Sequence, residues 1–147
     1  MADVNRTPWH IWVVGVLSLL WNGFGAYDFV MTTTRREAYF RASGFDQTMI
    51  DYFNAMPAWM YLPWILGVWG AVAGSILLLL RNRWAIWAFG LSFLGALTNL
   101  LYGLLINPMP PLPEAMAMMK YMPWVILLIA ALLVWYALPM RRRGVLR

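Results

Sequence analysis

The chain contains no cysteine and only one histidine among its 147 residues. Disulfides, thiolate metal sites and cysteine nucleophiles are therefore excluded. His10 lies between Trp9 and Trp12 at the start of an apolar stretch. A lone imidazole there is typical of a polar residue at the membrane surface, because a metal site needs several ligands together. We expect neither a metal site nor a cofactor.

Charged residues are also scarce, at 12% of the chain against 63% hydrophobic residues. A soluble domain typically has about 25% charged residues, so this composition does not suit a monomeric soluble fold. The sequence has no cluster of metal-binding residues, no nucleophile with a base at suitable spacing and no glycine-rich phosphate loop. We therefore do not expect the protein to be an enzyme.

Four long apolar stretches make up most of the chain, at residues 9–31, 57–80, 84–106 and 122–140. Each can cross a hydrocarbon core of about 30 Å, which takes about 17–25 helical residues. The sequence predicts an all-α, four-helix transmembrane bundle that forms a single integral membrane domain over residues 1–147. The first stretch is too long for a cleaved signal peptide, so we expect it to remain as an anchor.

The net charge of +5 is distributed unevenly between the two sides of the predicted bundle. Short loops on the cytoplasmic side of a membrane are enriched in lysine and arginine, so both termini are predicted to be cytoplasmic in a multi-pass protein of a bacterial inner membrane. The charge thus reflects topology and does not indicate nucleic acid as a partner. The predicted inner side carries Arg6, Arg81, Arg83, Arg141, Arg142, Arg143 and Arg147, and the outer side carries Arg35, Arg36, Arg41 and Lys120.

Most of the ten tryptophans lie near the ends of the predicted spans. Amphipathic indoles settle at the depth of the lipid head groups, which explains this distribution. Trp21 and Trp69 lie nearer mid-span, where they suit contact with lipid, with the core or with another protein, a pigment or a quinone.

Two segments of the chain resemble each other. Tyr61-Leu62-Pro63-Trp64 opens the second span and Tyr121-Met122-Pro123-Trp124 opens the fourth, and an arginine follows eighteen positions after each proline. This pattern suggests two parallel hairpin repeats, or chance resemblance in a biased composition. In the first outer loop, apolar residues recur at helical spacing over residues 43–56, which predicts a short helix on the outer leaflet or capping the bundle.

Polar side chains within the spans are few. Asn22 and Asp28 in span one match Asn99 and Tyr102 in span three in depth, which predicts two hydrogen-bonded rungs if those helices touch. A carboxylate in a span is a functional candidate by default. Asp28 lies near the outer end, so it is either a structural residue paired with Arg35 or Arg36, with Tyr102 as a second partner, or a residue that handles protons or solute.

Small residues predict where the helices come close together. Gly67, Gly70 and Gly74 form a groove on span two that allows close approach of another backbone. The groove serves contact within the bundle or between subunits.

Several motifs together resemble a known group of proteins. They are Leu19-Leu20-Trp21-Asn22-Gly23-Phe24-Gly25-Ala26-Tyr27-Asp28-Phe29, Thr34-Arg35, Met56-Pro57-Ala58-Trp59, Gly67-Val68-Trp69-Gly70 and the run from Gly74 to Trp84. Over residues 17–95 the chain resembles short four-span inner-membrane proteins frequent in alphaproteobacteria, usually labelled hypothetical or, loosely, sugar transporters. The resemblance implies a bacterial inner membrane and gives slight weight to transport. It carries over no catalytic or binding residues.

Two functions are compatible with these features. The first is a non-catalytic accessory or assembly subunit that docks in the lipid plane against a larger membrane complex, such as an energy-transducing one. The second is a small transporter of a polar solute such as a sugar, which would have to be a homo-oligomer because four helices enclose little room. The lipid bilayer and either other membrane subunits or further copies of the chain are the expected partners.

Overall fold

The computed structural model of the protein describes residues 7–147. Arg6, counted above among the inner-side charges, lies outside the described residues. The α-helices are α1 (His10–Ala42), α2 (Gln47–Asn54), α3 (Tyr61–Leu79), α4 (Ala85–Leu105) and α5 (Met122–Arg142). Short 3₁₀ helices at Ala58–Met60 and Glu114–Tyr121 lead into α3 and α5. Over this range the chain has no β-strand.

Four of these helices, α1, α3, α4 and α5, are long and apolar enough to cross a membrane. The chain is therefore an all-α, multi-pass membrane protein, and this prediction is confirmed. The bounds of α3, α4 and α5 lie within a few residues of the predicted spans.

Helix α1 is much longer than predicted, because it continues beyond residue 31 to Ala42. In the polar extension, the hydroxyls of Thr33 and Thr34 donate hydrogen bonds to the carbonyls of Phe29 and Val30, at 2.8 and 2.6 Å. An apolar run marks the part of a helix that suits lipid, whereas the helix itself ends only where its backbone hydrogen bonds end. The predicted end at residue 31 was therefore wrong for the helix.

A kink interrupts this extension at Arg36, whose backbone has φ 39° and ψ −112°. Positive φ is uncommon for a residue with a long side chain, and such conformations cost about 1–3 kcal/mol. Gly44, with φ 83°, ends the helix, and Asp46 then caps α2 by accepting a hydrogen bond of 2.9 Å from the Met49 N–H. The chain direction thus changes twice within about ten residues.

Helix α2 is the short helix predicted within residues 43–56. Its Met49 and Ile50 side chains are fully buried, and Phe53 stacks on Phe40 of α1 with ring centroids 5.1 Å apart. Burial raises the pKa of Tyr52 above its usual value, and the nearby Tyr102 of α4 adds to this. α2 therefore caps one end of the bundle.

The spanning helices pack in chain order, with α1 along α3, α3 along α4 and α4 along α5. At the other end of the bundle, Ile11 joins Leu133 and Met140 in one buried apolar cluster. There the Arg83 N–H donates to the Arg147 carbonyl at 2.9 Å, and the Arg147 N–H donates to the Arg81 carbonyl at 2.8 Å. We call this the terminal end of the bundle, and the end capped by α2 the far end.

Helices α3 and α4 approach each other most closely. A Cβ atom added to Gly95 would lie 2.6 Å from the backbone nitrogen of Gly67, and one added to Gly70 would lie 3.0 Å from the Ala88 carbonyl oxygen. Such distances leave no room for a side chain. In lipid, helices associate through close packing because the solvent is itself apolar.

Candidate functional site

The two intramembrane asparagines do not meet. Asn22 donates hydrogen bonds to the hydroxyl of Ser75 at 3.0 Å and to the carbonyl of Ala71 at 3.3 Å, both on α3. Asn99 donates to the carbonyl of Gly95 in its own helix at 2.8 Å. The predicted rung between them is wrong, because α1 packs along α3 and equal depth does not bring α1 to α4.

Asp28 is held by a tyrosine. Its carboxylate oxygen accepts a hydrogen bond of 2.7 Å from the hydroxyl of Tyr39, which lies beyond the kink in the same helix. Arg36 instead donates to the hydroxyl of Tyr61 at 3.2 Å, and Arg35 is exposed. Among residues 7–147, the one ion pair joins Arg41 to Glu37, at 2.5 Å. The predicted pairing of Asp28 with Arg35 or Arg36 is therefore not formed.

Tyr102, predicted as a second partner of Asp28, lies elsewhere. Its ring packs edge-on against Trp59, with centroids 5.7 Å apart, at the far end between α4 and the 3₁₀ turn before α3. The residues of the glycine groove, Gly67, Gly70 and Gly74, face Gly95, Ser92 and Phe89 of α4. The groove thus serves contact within the bundle.

His10 joins the first helix to the last. Its ring nitrogen Nδ1 is hydrogen-bonded to the hydroxyl of Tyr136 at the terminal end. No group of three histidine, cysteine, aspartate or glutamate side chains that could hold a metal ion exists within residues 7–147.

A cavity of about 220 Å³ lies at the far end, between the kink of α1, helix α2 and the first turns of α3. We call it the far-end pocket. Its polar lining consists of Thr32, Arg36, Asn54 and Tyr61, and its apolar lining includes Phe40, Phe53, Met56 and Trp64. Asp28 does not line it.

Aromatic stacking fixes the walls of this pocket. Phe40 stacks on Phe53 on one side, and on the other Trp64 packs edge-on against Phe29 with ring centroids 4.8 Å apart. Tyr61 lies against Trp64, with 6.0 Å between their ring centroids. The hydrogen bond from Arg36 to Tyr61 spans the kink of α1 and the start of α3, so the guanidinium is oriented by a neighbouring helix.

From the sequence, Arg36 is predicted as one of the outer-side charges and as a partner for Asp28, and no pattern in the sequence indicates the pocket. The positive φ at Arg36 has no signal in the sequence, since arginine gives no indication of such a conformation. The partner of Asn22 could more easily have been predicted from the sequence. Ser75 lies one residue beyond Gly74, in a stretch already identified as a packing surface. Tyr39 could not be connected with Asp28 without knowledge of the kink.

Comparison with protein-family models, with curated proteins and with solved structures finds no match for the chain.

Proposed function

We propose that the protein is a non-catalytic accessory or assembly subunit of a larger membrane complex, against which it docks in the plane of the lipid. The observation that carries this proposal is the use of the intramembrane polar groups. Within the described residues, no buried side-chain nitrogen or oxygen lacks a hydrogen-bond partner. The polar groups are used to join helices or to bond to their own backbone.

The details of these bonds argue against a path for polar solutes inside a single chain. Asn22 and Ser75 tie α1 to α3, and the Ser92 hydroxyl donates to the Gly67 carbonyl at 2.6 Å, tying α4 to α3. The close contact between the α3 and α4 backbones leaves no channel between those two helices. A solute would find no unoccupied polar lining along them.

The face of α1 that points away from α3 is the best candidate for docking. Leu17, Leu20 and Phe24, at helical spacing, are 61–69% exposed. Phe24 lies about 23 Å along the helix from Trp9 at 1.5 Å per residue, well within the hydrocarbon layer. Trp21, next to this row, is also exposed and lies too deep for the head-group belt that explains the terminal tryptophans. Large rigid aromatic side chains are favoured at protein contacts.

The test is isolation of the full-length chain from its native membrane in a mild detergent, followed by native mass spectrometry. We expect the 16.9 kDa chain in a fixed ratio with a different membrane protein. The double variant L20A/F24A should release that partner, because it removes the protruding side chains of the α1 face.

The matched control is L128A/L132A on α5, where both leucines are also more than half exposed. This variant should keep the partner. If both variants keep it, the α1 face is not the docking surface. If the chain isolates only with copies of itself, the accessory function is wrong.

A small homo-oligomeric transporter of a polar solute, such as a sugar, is the second candidate. The observation that favours it is Asp28, which is half-buried and has no cationic partner within 4.0 Å in the described part of the chain. Membership of the four-span alphaproteobacterial group, which the sequence resembles, would add slight weight. Solute uptake by reconstituted homo-oligomers that is lost in D28N, with assembly intact, would favour this function.

A further inference from the structure

The far-end pocket combines one cation with an aromatic wall. Arg36 is the single charged residue among the described residues that line it, and the remaining polar lining groups, Thr32, Asn54 and Tyr61, are neutral. A pocket with this lining favours a ligand that carries a negative charge next to an apolar body.

The acidic side chains closest in sequence to Arg36 are already engaged elsewhere. Glu37 pairs with Arg41, and Asp28 accepts the hydrogen bond from Tyr39. The Arg36 guanidinium has five N–H donors, and the hydrogen bond to the Tyr61 hydroxyl uses one of its terminal nitrogens. The planar guanidinium suits the oxygens of a phosphate group.

The backbone at Arg36 supports a binding role for this side chain. Its positive φ is a costly conformation for arginine, and the kink it produces turns α1 toward α2, forming one wall of the pocket. Residues held in such conformations are concentrated at ligand sites and switches.

The depth of the pocket points to the source of the ligand. Trp59 and Trp124 are about half-exposed at the far end, where they mark the level of the lipid head groups. Tyr61 and Trp64 line the pocket from the first turns of α3, a few residues from Trp59. The cavity is smaller than the roughly 300–1,000 Å³ of an ordinary small-molecule site. A ligand seated in it leaves part of itself outside, as a lipid leaves its acyl chains.

We infer that the far-end pocket binds the phosphate of an anionic phospholipid head group, with Arg36 as its charged donor and Tyr61 as the residue that positions the guanidinium. The aromatic wall of Phe40, Phe53 and Trp64 packs against the glycerol and the start of the acyl chains. This inference goes beyond docking in the lipid plane and does not depend on it.

The experiment is a titration of the full-length, detergent-purified protein, followed by native mass spectrometry of the first bound molecule. Separate titrations use phosphatidylglycerol, phosphatidylcholine with the same acyl chains, and inorganic phosphate. Phosphatidylglycerol should bind more tightly than phosphatidylcholine, because only the former has a net negative charge. Arg36→Gln should weaken its binding about tenfold, which corresponds to about 1.4 kcal/mol.

Two further variants make the result specific. Arg35→Gln removes the same charge from an exposed neighbour that does not line the pocket. The affinity of this variant for phosphatidylglycerol should therefore stay within about twofold of that of the parent protein. Tyr61→Phe keeps the shape of the wall and removes the hydroxyl that orients Arg36, so binding should weaken about threefold. This variant also provides the test if Arg36→Gln does not fold.

Equal losses in Arg35→Gln and Arg36→Gln would show general attraction to a basic surface and would overturn the inference. So would equal binding of the two lipids. Binding of inorganic phosphate that depends on Arg36, without binding of phosphatidylglycerol, would show that the ligand is a soluble phosphate. It would overturn the inference that the phosphate belongs to a lipid head group.

Discussion

At the scale of single residues, Asp28 shows how a membrane protein can hold a carboxylate without an ion pair. Tyr39 reaches it from eleven positions further along the same helix, because the kink at Arg36 lies between them. A hydroxyl that donates to a carboxylate oxygen replaces part of the hydration that the carboxylate would have in water. Because Tyr39 and not Arg36 is the partner of Asp28, the Arg36 guanidinium contacts Tyr61 at the edge of the far-end pocket.

We predict that Tyr39→Phe and Asp28→Asn each lower the free energy of unfolding by about 1 kcal/mol, the usual magnitude for a hydrogen bond. The double variant should lose less than the sum of the two, because Tyr39→Phe removes the hydrogen bond and Asp28→Asn weakens the same bond by removing the charge of its acceptor. Denaturation in detergent followed by circular dichroism measures this. Tyr27→Phe, on an exposed side chain, is the control and should have little effect. Strictly additive losses would show that the bond does not contribute to stability.

At the scale of elements, the contact between α3 and α4 organises the bundle. Gly67, Gly70 and Gly95 bring the two backbones close enough for the Ser92 hydroxyl to reach the carbonyl of Gly67. α1 and α5 pack on either side of this pair and share a buried cluster at the terminal end. The exposed face of α1 is a consequence of this order, since α1 packs mainly on α3.

Gly70→Leu and Gly74→Leu should each destabilise the bundle by about 1–3 kcal/mol, the usual cost of overpacking. At Gly70 the added Cβ would meet backbone atoms of Ala88 and Ser92, and at Gly74 it would meet the ring of Phe89 at 2.5 Å. Gly90→Leu on α4 is the matched control, because a Cβ there has no atom within 4 Å. Thermal unfolding in detergent compares them. Equal stability of all three variants would mean that α3 and α4 do not pack as described.

At the scale of the whole molecule, the C-terminal residues and the first described residues lie at the same end of the bundle. Arg147 pairs through its backbone with Arg81 and Arg83 in the turn between α3 and α4, and Arg81 also donates to the hydroxyl of Thr7 at 2.7 Å. The basic residues of this turn and of the C-terminus therefore share the terminal end. Under the positive-inside rule, the terminal end is therefore the one that we predict to face the cytoplasm.

The topology prediction is that both termini are cytoplasmic and that residues 32–56, which include α2, are periplasmic. A reporter active only in the cytoplasm should be active when fused after Arg147, and a reporter active only in the periplasm should be silent there. The same pair inserted after Gly44, in the exposed turn before α2, should give the opposite result. Activity of the periplasmic reporter fused after Arg147 would show that the topology is the reverse of the predicted one and that the far-end pocket lies at the inner leaflet.

The number of spanning helices and most of their bounds could be predicted from the sequence, because in lipid an apolar run must satisfy its backbone within a helix. The length of α1 could not, since the helix continues through polar residues such as Thr33 and Thr34, where the apolar run that marks a span has ended. The presence of Asn22 and Asp28 was evident, but their partners were not. A side chain's partner depends on which helix packs beside it, and α1 packs along α3. The far-end pocket depends further on the kink at Arg36, where the chain turns and the guanidinium contacts Tyr61, a residue that lies 25 positions further along the sequence.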